Sequence, residues 1–563
     1  MRRHLMHRTR RRHLPRGLGT LALAAALALP ARSQGCPQTI GPMSKSMFPS
    51  QSMLYNQFWS VPAKSPTGWT FAYCNGNDIF ARRFDPFLNA VGSQFLVNTT
   101  FVNDTQDEPA IVYGVDGGFM VAWSDRYGYD GSAMGCFGRV YDWRGHPVAT
   151  EFVINQITAA SQWRPLLAAN PAGGYVAAWS GESDGNAYIR FLDADGAFQS
   201  GDILVNTYLF DAQVDTDAAV NPAGVTFATF VDYSAHGGVG TGINLYGRTY
   251  DAAHNPREAQ EFLLTTFTSN GDQRNPRIAA DGLGRFFVVW ADEFGDGSGY
   301  GIFERIFDAN GAPLGPEFRV NSTTNGNQLV PTIRVDALGR QVVAWQDESL
   351  GAGAYQIRAR VLDANAVPLG PDFLVNDTPT FGAALPFVAA DATTTNFVVG
   401  WQGFGAGTEM DLYGRQFQST SGPQIYCGPK TNSQGCNPHV SWSGTPSASS
   451  ASPFLITGNN ILNQKLALLL YGYGSKFTPY QGSLLCIAPP LKRLAIQNSG
   501  GSPSGPDCSG TLSTDFNLRI QSGADPLLVP GATISARWYY RDPADPAGFS
   551  SGLTDALRFA ICP

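Results

Sequence analysis

One short pattern recurs seven times along this chain: an arginine, any residue, an aromatic or leucine, and in six copies an aspartate. It reads Arg82-Arg83-Phe84-Asp85, Arg139-Val140-Tyr141-Asp142, Arg190-Phe191-Leu192-Asp193, Arg248-Thr249-Tyr250-Asp251, Arg305-Ile306-Phe307-Asp308 and Arg360-Val361-Leu362-Asp363. The last copy, Arg415-Gln416-Phe417-Gln418, lacks the aspartate. Successive arginines stand 57, 51, 58, 57, 55 and 55 residues apart. A fixed period of this size is the mark of a repeat architecture, in which each unit buries its apolar face only against its neighbours.

Three further marks fix what a unit contains. An apolar stretch ends in a large aromatic ahead of each arginine: Tyr73, Trp123, Trp179, Phe230, Trp290, Trp345 and Trp401. A Gln-x-x-Pro string comes before that, as in Gln106/Pro109, Gln162/Pro165, Gln273/Pro276 and Gln328/Pro331. Phe-x-(Val/Ile)-Asn closes the unit, as in Phe95–Asn98, Phe152–Asn155, Phe318–Asn321 and Phe373–Asn376. Turn signals such as Asp308-Ala309-Asn310-Gly311 separate the last two stretches. Four short strands in about 55 residues, repeated radially, make propeller blades. A linear solenoid has a shorter repeat, and separate sandwiches need about 100 residues each. The spacing therefore predicts an all-β chain with a seven-bladed β-propeller over residues 34–426. The 15% charged residues, 63 glycines and 37 prolines fit many short strands rather than long exposed helices.

The seventh unit has Trp401 and Arg415 but no closing Phe-x-Val-Asn. A ring short of one strand leaves an open edge, so the stretch from about Thr39 to Ser52 is expected to supply it. That would bring Cys36 near Cys427, and we expect a Cys36–Cys427 disulfide to lock the ring. Cys74 and Cys136 would then form the other pair of the ring.

Residues 1–33 read as a secretory signal peptide. Arginines 2, 3, 8, 10, 11, 12 and 16 precede the apolar run Leu18–Leu29, and Ala31-Arg32-Ser33 is a small-x-small cleavage signal. The leader holds eight arginines and no acid, so its removal takes the net charge from −7 to −15. Such a surface offers nucleic acid no general basic face. No later apolar run reaches the 18 residues of a membrane span. All eight cysteines lie beyond the leader, an even number suited to disulfides outside the cell.

The repeat stops near Cys427. Strand-like stretches follow over 465–471, 483–488, 515–520, 532–540 and 556–561, broken by Gly, Pro, Ser and Asp clusters. Residues 427–563 are thus expected to form a smaller β-sandwich-like domain. The strings Asn432-Ser433-Gln434-Gly435-Cys436, Tyr471-Gly472-Tyr473-Gly474, Gln521-Ser522-Gly523-Ala524-Asp525-Pro526 and Arg541-Asp542-Pro543 resemble a C-terminal module shared by large secreted proteins of environmental bacteria. The repeats similarly resemble bacterial extracellular propeller repeats. Both resemblances imply export, and neither implies an activity.

A residue present in every unit reads as scaffold. The seven arginines are expected to make salt bridges, with Asp125, Asp232, Asp292 and Asp347 as partners two residues past the aromatics. Variation between units is the better pointer to a site. Two loops are acidic and glycine-rich, 125–131 and 292–297. Asp125, Asp130, Asp292 and Asp296 are candidate calcium ligands. Tyr127, Tyr129, Phe294 and Tyr300 are candidates for stacking on a sugar. Gly548-Phe549-Ser550-Ser551-Gly552 matches a hydrolase elbow in letters only, since no histidine follows it. The leading expectation is a non-enzymatic, secreted or cell-surface binding protein that meets a polysaccharide or another extracellular protein on one propeller face. Two further readings are an extracellular glycan hydrolase or lyase using acidic loop residues, and a structural envelope component.

Overall fold

In the computed structural model, residues 39–42 and 57–562 are described, apart from 87, 103–104, 132, 160, 183, 235–241, 267–270, 337–338, 352, 377–381, 392–395, 405–409 and 421. The leader, Cys36 and most of the stretch up to Ser52 lie outside the described residues. Residues 36–563 form one compact unit.

The first part of this unit is all-β, built from repeated four-stranded antiparallel sheets of the propeller type. Among the described residues there are seven of them, numbered here in chain order. Sheet one runs Gln57–Ser65, Gly68–Asn75, Asp78–Phe84 and Ala90–Leu96; sheet five runs Gln273–Ala280, Phe286–Asp292, Gly301–Phe307 and Phe318–Arg319. Sheet seven has Ala384–Ala390, Asn396–Phe404 and Met410–Thr420, and its fourth strand is Thr39–Pro42, with Thr39 opposite Thr420 and Pro42 opposite Phe417. The first strands of successive sheets pack on one another in a closed cycle, sheet seven returning to sheet one.

Each apolar core lies between two sheets, not within one. Trp123 packs with Val61 and Ala72 of sheet one, and Trp290 with Phe227 and Leu245 of sheet four. Second strands carry apolar residues on both faces and are buried throughout, as in Phe286–Asp292 and Tyr175–Gly181.

The recurring arginines join neighbouring sheets by a route other than the expected one. Nη1 of Arg139 donates to the Val97 carbonyl at 2.7 Å, and the same bond runs from Arg305 to Leu264 at 2.7 Å, Arg360 to Val320 at 2.6 Å and Arg415 to Val375 at 2.7 Å. Arg190 bonds Ile154 in the same way. Every acceptor is the residue just before the closing Asn position of the preceding sheet. The expected partners Asp125, Asp292 and Asp347 are instead occupied within their own sheets, by Gln106, by the Phe294 amide and by Gln356 respectively. The salt bridges expected of these arginines form with other acids than those named: Arg139 Nη1 lies 3.4 Å from Glu151 and Arg190 Nη1 3.7 Å from Asp202.

A second tie was not anticipated. The acid before the closing Phe accepts from the turn that ends the preceding sheet: Glu151 from Thr99 N and Oγ1 at 2.5 and 2.6 Å, Glu317 from Thr266 at 2.8 and 2.6 Å, Asp372 from Ser322 at 2.8 and 2.7 Å. These contacts hold the Asp372 carboxyl down at about 2 against its own burial.

The expected cysteine pairs need correction. Cys427 is bonded to Cys486, not to Cys36, because the strand Gln424–Tyr426 already pairs with Ala556–Ala560 and the chain has entered the C-terminal sheets by that point. Cys74 and Cys136 are free. They lie in different cores on opposite sides of sheet two, Cys74 between sheets one and two and Cys136 between sheets two and three. Burial pushes both thiols well above their usual range. Cys436 pairs with Cys508, and Cys562 is also disulfide-bonded.

In the C-terminal part, a seven-stranded sheet contains Leu466–Gly472, Thr533–Arg541 and Ala556–Ala560, and a three-stranded sheet contains His439–Ser443, Leu455–Ile461 and Gly510–Asp515. Their shared core holds Trp538, Phe559, Ile456 and Leu469. The stretch 515–520, expected as a strand, is instead a helix, Phe516–Gln521. Asp515 caps it, accepting from Asn517 N at 3.0 Å, while Phe516 and Ile520, four apart, point into the core. Among the described residues no helix is long and apolar enough to cross a membrane.

Candidate functional site

The positions of the Gln-x-x-Pro string, filled by both Gln and Pro in four of the seven sheets, form a ring of unusual backbone. In each first strand the register slips after the residue that follows the Gln position, for example between Asp107 and Ala110 and between Arg274 and Arg277. The next residue is left-handed at all seven positions: Trp59 (φ 60°), Glu108 (53°), Arg164 (54°), Asp215 (54°), Asn275 (54°), Val330 (50°) and Leu385 (51°). This is a β-bulge. Proline suits the next position because it has no N–H to lose from the ladder and bars the right-handed helical region to the residue before it. Gln106 lies opposite Asp125, and Gln273 opposite Asp292. The bulges therefore sit at the end of the ring that carries the loops 125–131 and 292–297, called here the loop face.

A cavity runs behind these bulges and is lined by the first strands of all seven sheets. Its mouth has two unlike halves. On sheets two to five, Glu108 accepts from Ser124 Oγ at 3.0 Å and from Arg164 N at 3.1 Å. The Arg164 guanidinium lies 3.8 Å from Glu108 and pairs with Asp215, which in turn accepts from Asn275 Nδ2 at 3.0 Å. Burial pushes the Glu108 carboxyl up to about 7, against the pull of Arg164. On sheets six, seven and one the same positions are Val330, Leu385 and Trp59, half-buried and apolar. Outside this mouth, Arg126 Nε holds Asp107 at 2.7 Å.

The four expected calcium ligands are turned onto the protein's own donors. Asp125 accepts from Gln106 Nε2 at 2.8 Å and Tyr127 N at 3.0 Å, and Asp130 from Asn155 Nδ2 at 2.9 Å. Asp292 accepts from Phe294 N at 3.3 Å, and Asp296 from Ser298 N and Asn321 Nδ2, both at 3.0 Å. Burial raises the Asp125 and Asp292 carboxyls. Among the described residues no three His, Cys, Asp or Glu side chains are grouped to hold a metal. Asn98 and Asn321, each at the head of a glycosylation sequon, are wholly buried in the same networks.

The expected aromatics divide. Tyr127 and Phe294 are 56% and 58% exposed. Tyr129 is half-buried, its ring 4.9 Å from both Phe101 and Tyr127, and Tyr300 packs onto the core between sheets five and six. Sequence reasoning missed the strongest feature of this face. Tyr208, Leu209 and Phe210 follow the closing Asn206 of sheet three, with Phe210 70% exposed and its ring 5.4 Å from that of Tyr208. The available signal was a wholly apolar triplet at positions where sheet five has Thr323-Thr324-Asn325.

Fold and site together define an all-β protein of the propeller type with a charged, two-sided axial mouth. No protein-family model matches the chain, and no curated protein does. Three solved structures of propeller type are similar to it. An ulvan lyase of polysaccharide lyase family 25 has a TM-score of 0.44 and 9% identity, over 67% of this chain and 95% of that one. The WD40 domain of Toxoplasma gondii coronin gives 0.40 and 11%, over 68% and 87%. An α-L-arabinanase of Penicillium chrysogenum, complexed with arabinobiose, gives 0.39 and 12%, over 55% and 92%. Likeness at this level bears on neither ligand nor activity.

Proposed function

We propose that the protein is an exported carbohydrate-binding protein. In this reading residues 1–33 are a signal peptide, 34–426 a seven-bladed β-propeller whose last blade is closed by the N-terminal segment, and 427–563 a β-sandwich-like domain. One observation carries it. Six large aromatics stand exposed on the loop face (Tyr127, Tyr208, Phe210, Tyr233, Phe294 and Phe404), against Trp143 and Phe198 elsewhere on the ring. Exposed apolar groups gathered on one side of a soluble fold mark a contact surface. Rings beside carboxylates and amides suit the C–H faces and hydroxyls of a sugar. Disulfides in the C-terminal part agree with an oxidising compartment.

The test uses chain 34–563 and a panel of soluble polysaccharides in size-exclusion chromatography. At least one polymer should move, uncut, to larger apparent size with the protein. The triple substitution Tyr127→Ala, Phe210→Ala, Phe294→Ala should weaken that binding at least about tenfold, with the thermal midpoint unchanged. Retention of a protein partner but of no polysaccharide would sink the carbohydrate reading, as would full binding by the triple variant.

The second reading, a glycan hydrolase or lyase, has its own support in Glu108. A carboxyl held near 7 at a cavity mouth, with Arg164 and Asp215 beside it, is poised for proton transfer. The loop acids Asp125 and Asp292 are less suited, being bonded into turns. In the same experiment a polymer that becomes shorter, and that stays intact with Glu108→Gln, would favour this reading.

A further inference from the structure

Two to four residues behind the bulges, the cavity wall carries charges that the protein itself does not balance. The cavity is small, with a volume of about 30 Å³. On the side of sheets seven, one, two and three its lining is apolar, with Phe387, Val61, Ile111 and Leu166. On sheets four, five and six it presents Asp217, Arg277 and Arg334. The two guanidiniums face one carboxylate.

That carboxylate is already engaged. Asp217 accepts from the Ala218 amide at 2.8 Å and from the Ile278 amide at 3.2 Å, and neither arginine comes within ion-pair distance of it. Arg277 Nη1 donates to the Pro276 carbonyl at 2.7 Å, and Arg334 Nη1 to the Ile333 carbonyl at 2.8 Å. Each guanidinium has five N–H donors. Among the described residues these carbonyls are the only protein acceptors for either. Burial lowers the affinity of both guanidiniums for their protons, against the pull of the Asp217 carboxylate, and burial raises Asp217 in turn against the pull of the two arginines. Both remain cations, since an arginine does not lose its proton inside a protein. An uncompensated charge on an enclosed wall is unfavourable, and a bound counter-charge relieves it.

We infer that the axial cavity is a binding site for a small monocarboxylate, with its carboxylate on Arg277 and Arg334 and a short alkyl body against Phe387, Val61 and Leu166. The net wall charge of one positive unit selects a monoanion, because Asp217 opposes a second negative charge. The apolar half of the wall favours an anion with a hydrocarbon end over an all-polar one. Arginine pairs also match the planar fork of a carboxylate. This site does not depend on the carbohydrate reading, which concerns the loop face.

The experiment is titration of [1-13C]acetate by NMR line width, on chain 34–563 at constant ionic strength in chloride. Saturable broadening with a Kd of about 10 mM or tighter is expected. Propionate should displace the acetate, and sulfate should not. Arg334→Met should weaken binding at least about tenfold while thermal unfolding stays cooperative. Should that variant not fold, the wild-type competition decides alone. Absence of saturable broadening overturns the site, and displacement by sulfate ahead of propionate overturns the monocarboxylate assignment.

Discussion

Replacing Arg305 by methionine keeps most of the apolar stem and removes the guanidinium from the seam between sheets four and five. Two hydrogen bonds go with it, from Nη1 to the Leu264 carbonyl at 2.7 Å and from Nε to the Gly315 carbonyl at 3.0 Å. Only 8% of the residue is exposed, so water does not readily replace them. A bond from a charged donor is worth about 1.5–3 kcal/mol, or about 3–6 kcal/mol for the two. Removing a buried charge returns part of this, because burial disfavours the charged guanidinium and lowers its pKa, against the pull of the buried Glu317 carboxylate, which loses its counter-charge. The net loss should be about 2–4 kcal/mol. Urea denaturation followed by tryptophan fluorescence reads it as a lower midpoint, since buried tryptophans lie in every sheet from five to seven. The control is Arg257→Met. Arg257 also bridges sheets four and five, donating to Asn310 O at 3.1 Å and to its Oδ1 at 3.0 Å, but it is exposed. Its loss should lie within about 0.5 kcal/mol. Equal shifts for the two variants would refute the claim that the repeated arginine is a buried tie between sheets.

Glu304 sits where other third strands have Gly138, Ile189 or Ala359, and burial pushes its carboxyl from 4.5 to about 8. The folded state therefore holds its proton where the unfolded state has lost it. This contribution is fully present below about 4.5 and declines as pH rises to about 8, by as much as about 4 kcal/mol. Denaturation midpoints between pH 5 and 8.5 should fall more steeply for the wild type than for Glu304→Gln; parallel curves would refute it. Cys74 and Cys136 should resist iodoacetamide in the native protein and be fully alkylated once it is denatured without reductant. Peptide mapping checks this, and a recovered Cys74–Cys136 peptide would contradict it.

The repeat was legible because it is enforced by backbone chemistry. The Asn of Phe-x-Val-Asn recurs since its side chain pairs with the backbone of the third strand, as Asn98 Oδ1 does with Ile79 N at 2.8 Å and Asn321 Oδ1 with Ile302 N at 2.8 Å. What the arginines bind was not legible, because a carbonyl has no letter in a sequence, whereas Asp125 and Asp292 do. Cysteine pairing failed for a related reason. Parity counts residues but cannot place Cys74 and Cys136 on opposite sides of one sheet. The helix Phe516–Gln521 failed through length, since six residues with an apolar pair four apart fit either period. Of the four aromatics singled out, Tyr127 and Phe294 are the exposed ones, found by the glycines around them, and Phe210 was overlooked because its loop contains none.

The constant and variable letters of one motif also separate scaffold from site. The bulge, and with it the left-handed residue and the place where that residue's side chain emerges, recurs in all seven first strands, including sheets one and four, which have Ser60 and Thr216 for the Pro, and sheet seven, which has Ala383 for the Gln. The second x of Gln-x-x-Pro varies. It is Glu108, Arg164, Asp215 and Asn275 on one side of the ring and Val330, Leu385 and Trp59 on the other. Seven identical backbone positions thus present seven different side chains around a single opening. The same reasoning extends inward along the strand, where the positions equivalent to Asp217 and Arg277 are Val61 in sheet one and Phe387 in sheet seven. A ring whose backbone repeats and whose axial side chains do not can hold an asymmetric ligand without loss of the seams that close it. In a chain of this kind the position to read for function is therefore the unconserved letter inside the most regular motif, ahead of the irregular loop beside it.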